Sequence, residues 1–180
     1  ESRKKLQLDV IDLYLIHWPV PGKFKETWRA LETLYEEGKV RAIGVSNFHI
    51  HHLEELLKDA KVVPAVNQIE LHPQFVQRDL VTYCKDHRMI IEAYSPLIRG
   101  HFDHPVLMEI SKRHNKSVAQ VLLRWQIQHG FLPLPKSSSR ERMLENSDIF
   151  DFKLTEEDIE SMKILEELGR TGSHPDTAEF

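Results

Sequence analysis

Alternating strand-like and helix-like segments predict an α/β chain of parallel β-α units. Three observations carry this. Short runs rich in β-branched and aromatic residues recur along the 180 residues. Apolar positions between them step at helical intervals. A strand followed by a helix and then another strand is the pattern a parallel connection requires. Two architectures fit, a doubly wound sheet and a (β/α)8 TIM barrel. The glycines argue against the first, because no G-x-G-x-x-G and no P-loop occurs. A barrel usually takes about 250 residues. The strand-like runs therefore match the last five β-α units of one, followed by C-terminal helices.

The strand-like runs are Val10–Ile16, Arg41–Ser46, Ala65–Glu70, Met89–Tyr94 and the proline-bearing Phe131–Pro135. Phe24, Trp28, Leu31 and Tyr35 form the apolar stripe of the first long helix, which Gly38 stops. Leu53, Leu56, Leu57 and Ala60 form a second stripe ended by Pro64, and Gln77–His87 a weaker third. Pro105 opens a helix reaching His114. Ser117 with Gln120 makes a capping box for the next, which Gly130 ends. A short helix covers Ser139–Asn146. Thr155 with Asp158 caps the last, through Leu168, and Arg170–Phe180 is expected as a loose tail.

A composition of 41% hydrophobic and 29% charged residues places the chain among globular rather than disordered sequences. A formal net charge of −4 gives no general attraction to nucleic acid or anionic membranes, and no apolar run is long enough to span a bilayer. The single Cys84 permits no internal disulfide, which points to a reducing, cytoplasmic setting. Glu1–Leu8 reads as the basic last turn of a helix, so the expectation is a chain that begins inside a larger fold, with residues 1–180 one partial barrel domain.

In a barrel the active site lies at the C-terminal ends of the strands. Those positions here hold His17 and Trp18, then Ser46, Asn47 and Phe48, then Gln68, Glu70 and His72, then Tyr94, Ser95 and Leu97, and finally Lys136 and Ser137. His17 shares a strand face with Leu13 and Leu15, where an imidazole can hydrogen-bond a carbonyl oxygen or exchange a proton. The plainer alternative is a histidine satisfied by a backbone carbonyl. Lys136, Ser137 and Arg142 converge near the start of a helix, an arrangement suited to phosphate. A metal-dependent hydrolase using His17 and His72 lacks metal-ligand spacing, so no metal is expected. His51-His52 and His101-x-x-His104 read as solvated positions, and Glu70 with His72 as a structural pair.

Gly38–Phe48 (GKVRAIGVSNF) and Leu134–Ile149 (LPKSSSRERMLENSDI) resemble two long signatures of the aldo-keto reductase family. LIHWP, NQIELHP and AYSPL fall in the family's order around them, and the finer resemblance is to bacterial reductases of small aldehydes and diketo sugar acids. The resemblance implies NADPH-dependent reduction of aldehydes or ketones to alcohols by hydride transfer. It makes His17 the catalytic histidine and Trp18 a wall of the substrate pocket. Ser46, Asn47 and Gln68 would hold the nicotinamide carboxamide, Tyr94 would stack on the ring, and Ser95 and Leu97 would contact the pyrophosphate. Lys136, Ser137 and Arg142 would clamp the 2′-phosphate, with Glu145 and Asn146 on the adenine.

The family's catalytic aspartate, proton-donating tyrosine and paired lysine match no position here. Tyr14 lies on the strand face opposite His17. The chain alone is therefore expected to be inactive. A non-catalytic NADP-binding regulatory subunit on the same scaffold is the alternative. The expected partner is a small carbonyl substrate, with no nucleic acid or membrane. The intact protein is expected to be a monomer. An isolated open parallel sheet has two unpaired edges and is expected to self-associate.

Overall fold

A computed structural model describes residues 1–178. The part of the expected tail at 179 and 180 lies outside the described residues. The strands are β1 (Ile11–Ile16), β2 (Val40–Ser46), β3 (Val66–Glu70), β4 (Ile90–Tyr94) and β5 (Leu132–Pro133). The helices are α1 (Ser2–Leu6), α2 (Phe24–Glu36), α3 (Ile50–Leu57), α4 (Arg78–Asp86), α5 (Pro105–His114), α6 (Val118–Gln128), α7 (Arg140–Ser147) and α8 (Glu156–Met162). The strands follow chain order in one sheet, β1-β2-β3-β4-β5. A doubly wound sheet reverses its strand order at a switch point. This order never reverses, so the units are those of a partial (β/α)8 barrel.

The described residues divide into two compact units, residues 1–69, 79–91 and 174–178, and residues 70–78 and 92–173. In the first, β1 and β2 pair in parallel with Leu15 opposite Gly44, and β2 meets β3 with Ser46 opposite Gln68. Gly44 is there for space: a Cβ at this position would lie 2.7 Å from both Leu15 Cδ2 and the Val66 carbonyl oxygen. Gly38 serves conformation instead. It takes φ +68° after α2, and its N–H bonds back to the Tyr35 carbonyl at 3.0 Å. The core of this unit includes Trp28, Ile43, Val45, Phe48, Leu53 and Leu56. Phe24 meets Phe48 edge-on at 5.5 Å.

In the second unit, β4 pairs with β5 in parallel, Glu92 opposite Leu132. Pairing covers only Leu132–Pro133 of the longer run predicted, because Pro133 and Pro135 lack the N–H a ladder needs. Leu107, Ile110, Val121, Leu122, Leu123 and Leu165 are buried here. Both capping boxes read from sequence form. Gln120 N donates to Ser117 Oγ at 3.3 Å, and Ser117 N to Gln120 Oε1 at 3.0 Å. Asp158 N donates to Thr155 Oγ1 at 3.1 Å, and Thr155 N to Asp158 Oδ2 at 2.9 Å. The last helix is shorter than expected. It ends at Met162 and continues as 3₁₀ turns over Lys163–Leu168.

Candidate functional site

In the first unit the ends of β1, β2 and β3 are tied by side chains as well as by a backbone bond. Asn47, in the left-handed region at φ +64°, donates from Nδ2 to the His17 carbonyl at 3.0 Å and to Ser46 Oγ at 3.2 Å. Ser46 Oγ donates to the Gln68 carbonyl at 2.9 Å, and the Asn47 backbone N–H reaches the same oxygen at 2.9 Å. Left-handed backbone is tolerated by asparagine better than by most residues. The turn sends the chain off β2 while keeping its amide against β1. Four of the predicted residues, His17, Ser46, Asn47 and Gln68, are thus gathered at one sheet end. His17 lies just past β1 with an exposed ring, 5.9 Å from the Trp18 ring between centroids. The Tyr14 hydroxyl, on the other strand face, is 3.1 Å from Ser2 Oγ.

The second unit holds a cleft of about 570 Å³ lined by Leu97, Arg99, Lys136, Ser137, Arg142, Glu145 and Asn146, among others. Six of these seven are sequence-predicted contacts for a phosphate-bearing nucleotide. Arg99 is the addition. The cleft has a clear electrostatic character: among the described residues, none of Arg99, Lys136 and Arg142 forms an ion pair. Ser139 caps α7, its Oγ accepting from Arg142 N at 3.4 Å. Ser137 Oγ accepts from Ser139 N and donates to the Ser139 carbonyl, each at 3.1 Å, which fixes the turn carrying Lys136. Three cations against the single carboxylate of Glu145 give this cavity an excess of positive charge, which suits an anion. Tyr94 ends β4 and Ser95 follows it, both outside that lining.

Tyr94 belongs with a buried charge. Glu70 is 1% exposed, yet its carboxylate is heavily solvated by protein. Thr171 donates to Oε1 from both N and Oγ1 at 2.6 Å, Gly172 N donates to Oε2 at 2.9 Å, and His72 Nε2 lies 3.0 Å from Oε1. Arg170 Nη1 is 3.8 Å from Oε2. Burial alone would push the carboxyl up. The hydrogen bonds from His72, Thr171 and Gly172 win and hold it down at about 2. The Glu70–His72 pair is as expected, but Arg170–Gly172 is not loose, because Glu70 latches it. Burial first, and then the Glu70 charge, raise the Tyr94 phenol above its ordinary range against Arg170 and Arg99. The Tyr94 phenol therefore holds its proton more tightly than an exposed tyrosine does.

Sequence reasoning missed Arg99, the Glu70 latch and a histidine cluster in the first unit. The solvated reading of His51-His52 fails for His52, which is buried with its ring 5.8 Å from Phe48 and 6.1 Å from Phe24. Its spacing from Leu53 and Leu56 on α3 carried that signal. His72, fully buried beside Glu70, is likewise no open ligand.

The sequence profile of the Aldo/keto reductase family matches residues 1–167. Glyoxal reductase of Bacillus subtilis is 55% identical over 181 aligned positions, covering 100% of this chain and 66% of that protein. Methylglyoxal reductase DkgA of Escherichia coli is 41% identical, covering 98% of this chain and 66% of its own length. The chain thus spans just under two thirds of these relatives. A crystal structure of a Gox0644 variant in complex with NADPH superposes with a TM-score of 0.95 at 42% identity, covering 99% of this chain and 68% of that one. No helix among the described residues is long and apolar enough to cross a membrane.

Proposed function

Because this chain belongs to the Aldo/keto reductase family, we propose that it supplies the NADPH-binding part of a reductase of small aldehydes, with α-dicarbonyls of the glyoxal type as the substrate class. One observation carries the proposal: Arg99, Lys136 and Arg142 line one cleft beside Ser137, they outnumber its one acidic lining residue, Glu145, and none of the three is ion-paired among the described residues. That set fits the 2′-phosphate of NADPH, and Glu145 and Asn146, which line the same cleft, would contact the adenine. When bound, NADPH supplies the hydride that reduces the carbonyl carbon. The chain's own residues bind and orient. Lys136, Ser137 and Arg142 hold the phosphate, Leu97 and Ser95 the pyrophosphate, and Ser46, Asn47 and Gln68 the carboxamide. Tyr94 offers a neutral ring to the nicotinamide. His17 donates a hydrogen bond to the substrate oxygen, and Trp18 walls the pocket. The dicarbonyl class comes from the names of the relatives.

Reduction also needs a proton for the developing alkoxide. The tyrosine that supplies it in the family, with its aspartate and lysine, matches no position in residues 1–180. This chain alone binds NADPH but does not turn over. The test is NADPH titration of the chain, then nicotinamide absorbance with glyoxal or methylglyoxal added to the chain and to a longer parent carrying an upstream aspartate, tyrosine and lysine. Saturable binding by both, with turnover by the parent only, is expected. Binding without turnover by either would overturn the reductase reading and leave a nucleotide-binding regulator. Steady turnover by the chain alone would overturn the assignment of the proton donor.

A further inference from the structure

We propose that His49, His51 and Asp176 form a binding site for a divalent transition-metal ion of the zinc, cobalt and nickel class. The residues belong to one compact unit, with His49 and His51 at the start of α3 and Asp176 close to the end of the described chain. His49 Nδ1 lies 3.2 Å, and His51 Nε2 3.4 Å, from the same Asp176 oxygen, Oδ1. The donor atoms of His49, His51, His52 and Asp176 all fall within 4.8 Å of one another.

These separations have a chemical scale. Zinc bonds to imidazole nitrogen and carboxylate oxygen of about 2.0–2.2 Å put neighbouring tetrahedral donors about 3.3–3.6 Å apart. The two histidine–carboxylate distances are therefore close to what one shared ion requires. Imidazole and carboxylate donors together suit zinc, cobalt or nickel rather than calcium or magnesium.

His52 has a different part. Its Nδ1 accepts the His49 backbone N–H at 3.1 Å, so the neutral ring carries its proton on Nε2. That Nε2 is 3.5 Å from Asp176 Oδ1, placed to orient the ligating carboxylate rather than to ligate. His174 is set similarly, its Nδ1 accepting from Asp176 N at 3.3 Å. Two imidazoles and one carboxylate make the protein donor set, and water completes the coordination. His51 and Asp176 have side chains 60% and 38% exposed, so an ion enters directly from solvent. Bound metal would tie Asp176 to the start of α3, two residues beyond Asn47.

The test uses the untagged full chain, stripped by chelation. Zinc is titrated in competition with a chromophoric chelator, and cobalt is added to record its visible spectrum. One ion per chain is expected, with cobalt bands typical of nitrogen and oxygen donors. Removing an outer partner of a metal site costs about 10–100-fold in affinity, so His51→Ala and Asp176→Asn, which remove ligands, should each cost at least about 100-fold. His101→Ala should cost nothing. No ion bound above the level of a His51→Ala, Asp176→Asn double variant, or unchanged affinity in His51→Ala, would overturn the assignment. Because the His51 ring is exposed, that variant carries the test even if Asp176→Asn fails to fold.

Discussion

Replacing Glu70 by glutamine should destabilise the chain by about 3 kcal/mol near neutral pH. The magnitude comes from two independent routes. The carboxyl is held at about 2 against an ordinary 4.5, and at about 1.4 kcal/mol per unit the difference is worth about 3 kcal/mol. Counting bonds gives a similar figure. Glutamine keeps one carbonyl oxygen for Thr171, but its NH2 then faces the Gly172 N–H that Oε2 now accepts at 2.9 Å. One charge-assisted bond is lost, and such bonds are worth about 1.5–3 kcal/mol. The Arg170 contact loses its charge partner as well.

The assay is urea unfolding of wild type and Glu70→Gln by circular dichroism, repeated from about pH 7 to about pH 2. A depressed carboxyl contributes stability that is fully present above its unfolded value and lost as pH falls toward its folded one. Wild type should therefore lose about 3 kcal/mol between about pH 4.5 and pH 2, and the two curves should converge there. In heat, a chain of this size should melt about 6–12 °C lower for the variant. Thr171→Val, which removes one donor and leaves the charge, should cost less. A Glu70→Gln effect under about 1 kcal/mol, or two pH curves that stay parallel through the acid range, would refute the latch.

Three further outcomes are expected. Gly44→Ala should cost about 3 kcal/mol, the upper end for overpacking, because one of its 2.7 Å contacts is the Val66 carbonyl, which cannot turn away; a change within about 0.5 kcal/mol by thermal melting would contradict that. Asp158 is buried between His114 Nε2 at 2.7 Å, Arg113 Nη1 at 2.6 Å and the α8 cap, so Asp158→Ala should cost about 3 kcal/mol in urea unfolding, and an effect within about 0.5 kcal/mol would exclude this network as a stabiliser. Leu132, Leu134, Met143, Leu144 and Phe150 stand exposed along β5, α7 and the segment after it, so sedimentation should report concentration-dependent association weakened by Leu144→Glu with Phe150→Glu; a monomer at every concentration would remove that expectation.

Local chemistry in the sequence carried most of the fold. The strands declared themselves by β-branched runs, and Ser117 with Gln120 and Thr155 with Asp158 marked helix starts because a capping box is a four-residue affair. Lys136, Ser137 and Arg142 were readable together because one turn and one helix start hold all three. The Glu70 latch was not, since its partners at Thr171 and Gly172 are about 100 residues along the chain and an isolated glutamate at a strand end has no period. Arg99 escaped for a similar reason: it follows β4 in a backbone conformation, φ +53°, that arginine rarely adopts. The pairing of the α3 histidines with Asp176 likewise depends on a distant segment.

The reading of the arginine and lysine cleft is tested most directly by comparing NADPH with NADH on the purified chain, by cofactor fluorescence or calorimetry. Two charge-assisted bonds to the additional phosphate at about 1.5–3 kcal/mol each predict NADPH tighter by at least about 100-fold, with the preference collapsing in Lys136→Ala with Arg142→Ala while NADH affinity holds. Equal affinity for the two cofactors, or a preference that survives the double substitution, would contradict it.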